Sequence, residues 1–232
     1  MIVHDDTLAK TKANLNTPEG IVEVLSPVYR ILDEIKTQRV IKTHFPVDYL
    51  PENLKSAGSK IVYVARNPRD VMVSWFHLST SYTAIGFNKD MGTFVDYFVK
   101  GMDVYGPYWE HLKSAWSHRH EKNFYFVFYE DFIYDLKGSL EKLATFLGKT
   151  IKEEDYPKFL THLGIESFRN NLAISNQYYT QAGLKTKGKT SFIREGKIGG
   201  CNELTTEMIE KLDKWTEENL KGTDLKFPMI QK

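Results

Sequence analysis

Residues 60–77, KIVYVARNPRDVMVSWFH, change their periodicity once, and that change decides the fold class. Ile61, Val62, Tyr63 and Val64 are β-branched or aromatic with little alternation, as expected of a strand covered on both faces. Asn67 then offers a side-chain oxygen as N-cap and Pro68 suits the first helical position, so a helix is expected to about Ser79. Arg66 stands at the strand's C-terminal end, where open α/β sheets place ligands, and free amides at the helix start favour an anion. Ser74 lies about two turns into that helix, so an arginine and a hydroxyl could grip a phosphate together. An arginine paired with Asp70 at a helix cap accounts for the same residues without any ligand.

The flanking sequence repeats this strand–helix alternation. Upstream, residues 39–44, RVIKTH, read as a short strand that runs into the turn FPVDYLP. Before it, Thr17 and Pro18 open a helix over 18–37, with Ile21, Val24, Leu25, Val28, Ile31, Leu32 and Ile35 on one stripe and Pro27 interrupting it. Downstream, helices are expected over 92–100 and 107–118, then a strand at 123–129, NFYFVFY. Leu136, Leu140, Leu143, Ala144 and Leu147 place a long helix over 130–147, with Gly148 set to end it. Residues 164–203 are polar and rich in Gly, Lys, Asn and Thr, as in a long irregular segment, and a last helix covers 205–220. Strands alternating with helices imply an α/β protein with a parallel sheet.

Composition narrows the function classes. The 232 residues are 41% hydrophobic, enough for a core, and 31 basic residues against 30 acidic leave no global field for nucleic acid or anionic lipid. Any anion site is therefore local. Cys201 is the single cysteine, which rules out a disulfide within the chain and fits a reducing compartment. The first residues, MIVHDDTLAKTK, hold no signal peptide, and no later run is long and apolar enough for a membrane span, so a cytoplasmic protein is expected.

Two further groups carry chemistry. His44, just past a strand end, has Lys42 two positions away on the same strand face. A general base beside a cation that stabilises developing negative charge fits such a pair, as does a surface lysine next to a hydrogen-bonded histidine. SFIREGKIGG, residues 191–200, supplies Arg194, Gly196, Lys197, Gly199 and Gly200 in a basic loop whose backbone could approach a phosphate closely. By contrast GLKTKGKT, Gly183 to Thr190, matches the Walker A pattern letter for letter but has neither a buried strand before it nor a helix after it.

In order and interval these blocks resemble the cytosolic sulfotransferase family over nearly the whole chain. The resemblance implies a three-layer α/β fold, P-loop-NTPase-like, with a mostly parallel central sheet flanked by helices. It also implies transfer of a sulfuryl group from 3′-phosphoadenosine-5′-phosphosulfate (PAPS) to a hydroxyl or amine of a small acceptor, leaving 3′-phosphoadenosine-5′-phosphate (PAP). RVIKTHFP is similar to the strand with the catalytic histidine, here His44, with Lys42 beside the transferring group. Arg66 and Ser74 match ligands of the 3′-phosphate, as do Arg194 and Gly196. Tyr129 in FVFYEDF and Phe168 in IESFRNN match aromatic residues at the adenine. The implied chemistry requires no metal.

The departures are equally specific. The strand, phosphosulfate-cradling loop and helix with which the family begins have no counterpart, so residues 1–232 are expected to form a partial sulfotransferase domain, truncated at its N-terminus. An incomplete gene product, a short form acting only as a binding or regulatory partner, and a loop supplied by another chain all account for this. Glu195 stands where the signature loop usually has a second basic residue, and Cys201 where it has tryptophan. Thr205, Thr206 and Glu210 match the family's homodimer motif only in part. The acceptor stays open among phenols, alcohols and steroid-like molecules; Phe45, Tyr82, Phe87 and Tyr105 fit an apolar pocket or ordinary core equally well.

Overall fold

The structure, a computed structural model, describes residues 32, 35–83, 85–171, 185 and 192–228. The described residues fall into two compact units. One takes those up to His44 with Leu78–Phe87 and Ile165–Arg194, the other Phe45–His77, Asn88–Gly164 and Glu195–Lys232.

In the second unit β1 (Ile61–Ala65) and β2 (Phe124–Phe128) pair in parallel, Ile61 opposite Phe124 and Ala65 opposite Phe128. Parallel neighbours need a long crossover. Here it runs through α1 (Pro68–Ser81), α2 (Met91–Val99) and α3 (Tyr108–Ser117). The Asp90 carboxylate caps α2 by accepting from the Thr93 amide, and Phe94, Val95 and Phe98 form its buried stripe. On α3 the stripe is Trp109, Leu112 and Ala115. The helices expected at 92–100, 107–118 and 205–220 are thus α2, α3 and α8 (Thr206–Leu220), the last capped by Thr205.

The helix expected over 130–147 is two helices. α4 (Tyr129–Tyr134) and α5 (Leu136–Leu147) are separated by Asp135, with φ −143° and ψ 81°. Its carboxylate accepts from the Gly138 amide at 2.9 Å, so the chain gains an N-cap where the apolar spacing alone suggested continuity. Gly148 ends α5 at φ 72°. α6 (Tyr156–His162) follows a 3-10 turn, and α7 (Ile165–Asn170) lies within the segment expected to be irregular.

One sheet face carries the core. Tyr63, Ala65, Phe126 and Phe128 pack with Trp109, Leu112 and Trp116 of α3 and with Leu225 and Phe227 beyond α8. The Trp116 ring meets Phe126 edge-on at 4.9 Å. On the opposite face Val127 is buried and Tyr125 stacks on Phe146 of α5 at 5.2 Å. Val62 and Val64 of that face are 40% and 55% exposed. The expectation of a strand covered on both faces therefore fails for β1 at Val62 and Val64.

Two further expectations change. Residues 39–44 adopt no strand, since no described segment pairs with them in a ladder. Leu32 is helical and 35–37 are not, so the helix expected to residue 37 stops earlier; its remainder lies outside the described residues. The Walker-like segment also lies outside them, apart from Lys185, which forms an isolated antiparallel bridge with Tyr82. Among the described residues no helix is long and apolar enough to cross a membrane.

Candidate functional site

The most organised polar site forms where β1 hands over to α1. Ala65 is buried, and the chain turns through Arg66 and Asn67 before Pro68 opens the helix. Asn67 builds the turn as its sequence position demanded: its side-chain oxygen accepts from the Arg69 amide at 3.0 Å and its carbonyl from the Val71 amide at 3.0 Å. Its own amide donates to Glu130 Oε1 at 2.7 Å. The Tyr108 hydroxyl donates to the Arg66 carbonyl at 2.7 Å. The backbone beneath Arg66 is thereby fixed from two other elements, α3 and α4.

The Arg66 side chain is clamped on three sides. Its guanidinium lies over the Tyr129 ring, 4.6 Å from the centroid. Nη2 donates to the Lys197 carbonyl at 2.9 Å and stands 3.7 Å from Asp70 Oδ2. Nε is buried and has no partner among the described residues. The ion pair with Asp70 shows that the simple cap reading holds in part. It leaves Nε unused, and a planar guanidinium with a spare donor at a helix start suits an oxyanion such as phosphate.

The loop after Arg194 docks on the same helix. Gly199 donates its amide to Asp70 Oδ2 at 3.0 Å, and His77 Nε2 lies 2.9 Å from both Glu203 oxygens. α1 therefore holds the loop at both ends. Gly196 and Gly199 have φ of 66° and 74°, which explains the glycines in this stretch. Glu195, Gly196 and Lys197 are exposed. Ser74 is exposed on α1.

Burial sets the proton chemistry around Arg66. It pushes the Tyr129 hydroxyl up despite the opposing charge of Arg66, and Tyr108 further still. It also raises the Glu130 carboxyl, against the pull of the Asn67 amide and Arg66.

The remaining candidates belong to the other unit. Lys42 and His44 are both exposed on a segment without helix or strand, and Phe168 is half-buried on α7. On that helix the Arg169 guanidinium donates to the carbonyls of Ile193 and Arg194 and pairs with Glu166. Arg194 is thus held by its backbone from a neighbour in α7. The structure brings together Arg66, Tyr129 and the loop from Glu195 onward within one unit, and places Phe168 and Arg194 in the other.

Sequence reasoning missed four supports of this arrangement: Glu130, Tyr108, Arg169 and the loop-holding role of Asp70. Asp70 and Glu130 each carried a weak signal, as acids in a helix's first turn, which did not say what either would hold. Glu130, Tyr108 and Arg169 act through contacts 24 to 63 residues apart in sequence, which periodicity cannot reach.

Known proteins are similar to this chain in sequence and in fold. The sequence model of a family described as "Sulfotransferase domain" matches residues 11–224. Sulfotransferase 1E1 of Bos taurus is 34% identical over 84% of this chain and 66% of its own length. Sulfotransferase 1B1 of Mus musculus is 30% identical over 98% of this chain and 78% of its own. Among solved structures, retinol dehydratase in complex with androsterone and inactive cofactor PAP aligns with a TM-score of 0.82 at 36% identity, over 92% of this chain and 64% of that one. The chain spans about two thirds of the length of the bovine enzyme and of retinol dehydratase.

Proposed function

The chain belongs to the sulfotransferase family, and on that footing we propose that it is a sulfotransferase domain, in whole or in part, that binds PAPS and directs its sulfuryl group to the hydroxyl or amine of a small apolar acceptor. The observation that carries this reading is Arg66. Its guanidinium lies over the Tyr129 ring and is anchored to the loop carbonyl of Lys197, and its buried Nε has no partner among the described residues. That cradle fits a phosphate, and solved structures of similar fold were crystallised with PAP, which carries one at the 3′ position.

In this reading Arg66 binds the 3′-phosphate, with Ser74, Arg194 and Gly196 as its further ligands and Glu195 beside them in the loop. Tyr129 and Phe168 flank the adenine. PAPS supplies the activated sulfuryl group. His44 takes the proton of the acceptor's nucleophile as its oxygen or nitrogen bonds to sulfur. Lys42 stabilises the charge that passes to the departing 5′-phosphate of PAP. Binding and orientation contribute most to such a transfer, since little covalent chemistry falls to the protein.

Within that class an alcohol or phenol on an apolar frame is favoured over an amine by a relative named for luciferin and by neighbours holding androsterone or retinol. The test is to supply PAPS with a panel of phenols, steroid alcohols and retinol and to follow PAP release. Release that depends on acceptor and disappears in His44→Ala supports the reading. Release unchanged in His44→Ala removes the histidine from it.

A further inference from the structure

We propose that Glu130 is a positioning residue of the Arg66 anion site, holding the Asn67 amide from below and keeping its own proton, so that a bound phosphate meets one buried carboxylate and not two. The inference rests on the reading that Arg66 meets a phosphate.

The geometry is unusual for an acidic residue. Glu130 is 0% exposed, although it is the second residue of a helix that follows directly on a strand. One oxygen accepts from the Asn67 amide at 2.7 Å, and the other is buried with no partner among the described residues. An ionised carboxylate left so would carry uncompensated charge in a dry setting. Arg66 is the cation at hand, and its Nη2 is already directed at the Lys197 carbonyl and Asp70.

A carboxylic acid suits the same position. It accepts from Asn67 through one oxygen and adds no charge to the site. Burial raises the Glu130 carboxyl, and Asp70 adds to that, while the Asn67 amide and Arg66 oppose it. The other ionisable groups facing it, Tyr129 and Tyr108, are themselves raised by burial and stay as phenols. Because the carboxyl is raised, it is neutral at the lower pH and gains its charge as pH rises. A second anion would then stand beside Asp70 and oppose the phosphate at Arg66. Proton retention by Glu130 and anion binding at Arg66 thus favour one another, as linked equilibria must.

The experiment titrates PAP into the wild-type chain, Glu130→Gln and Glu130→Ala from about pH 4, at the ordinary carboxylate range, to about pH 9. Glutamine keeps the shape and the acceptor but cannot ionise. Wild-type affinity is expected to fall about tenfold more than that of Glu130→Gln toward the alkaline end, with the two alike at the acid end. Glu130→Ala, lacking the Asn67 contact, is expected to bind weakly throughout. An equal alkaline fall in Glu130→Gln, or wild-type affinity in Glu130→Ala, overturns the proposal. Thermal unfolding of the unliganded wild type and Glu130→Gln reads the proton independently: the wild type is expected to lose stability against the glutamine variant as pH rises, and identical profiles contradict a retained proton. That comparison decides the matter even if Glu130→Ala does not fold. Absence of PAP binding by the wild type overturns the phosphate reading itself.

Discussion

The backbone amide of Gly199 donates to Asp70 Oδ2 at 3.0 Å across 129 residues of sequence, tying a glycine loop to the first turn of α1. Asp70 is only 2% exposed, and the same oxygen lies 3.7 Å from Arg66 Nη2. One carboxylate therefore aligns the arginine and seats the loop that covers it.

Asp70→Ala is expected to free the Gly199 amide and to leave Arg66 without its acidic neighbour. Loss of a hydrogen bond to a buried charged group costs about 1.5–3 kcal/mol. Hydrogen exchange at Gly199 should rise by at least about tenfold, and PAP affinity should fall. Unchanged exchange at Gly199 would show that the loop is held elsewhere.

Asp103 gives the structure a separate pH dependence. Its carboxyl is raised by burial, which the amides of Tyr105 and Gly106 only partly offset, and Oδ2 is buried without a partner among the described residues. A carboxyl raised on folding contributes stability that is present below its unfolded value, near pH 4, and is lost as pH rises through the folded value. The wild type should therefore lose stability against Asp103→Asn between about pH 4 and neutrality. Denaturant midpoints across that range check it, and parallel profiles would count against a buried charge at Asp103.

Two glycines with nearly the same φ should respond differently to alanine. At Gly148, φ 72°, an added Cβ meets nothing nearer than Lys60 Nζ at 3.6 Å, so the cost is about 1 kcal/mol for the left-handed conformation. At Gly101, φ 66°, it would meet Pro107 Cγ at 2.9 Å and Cβ at 3.0 Å. Overpacking adds about 1–3 kcal/mol there. Urea unfolding should rank Gly101→Ala well below Gly148→Ala.

The core in α8 offers a control for the whole packing description. Leu212 is 0% exposed, whereas Leu160 on α6 is 41% exposed. Leu212→Ala should lose about 2–5 kcal/mol and Leu160→Ala about 0.5 kcal/mol or less. Equal losses would contradict the placement of α8 against the core.

Residues 60–77 were legible because each level of the code agreed there: an apolar run, then an Asn cap, a Pro at the first turn and an acid at its start. β1, Asn67 and α1 emerged within two residues of expectation. Where levels disagreed the reading slipped. Leucine spacing across 136–147 is helical, and residues 129–134 are helical too, but Asp135 gains more as a cap than as a helix interior. RVIKTH has strand-like residues and no described partner to pair with, and pairing rather than propensity makes a strand. In the candidate site, Arg66 and Tyr129 could be named from local pattern or family resemblance. Glu130 could not, because a buried acid beside a tyrosine reads as a surface residue until its contact with Asn67 is seen.

The most direct test of the account is a calorimetric titration of PAP into the wild-type chain and Arg66→Ala. Saturable one-to-one binding is expected of the wild type, weakened about a hundredfold in Arg66→Ala, equivalent to about 3 kcal/mol for a charge-assisted phosphate contact. Equal affinity in the two proteins would contradict it, since the phosphate would then bind somewhere other than the cradle at the end of β1.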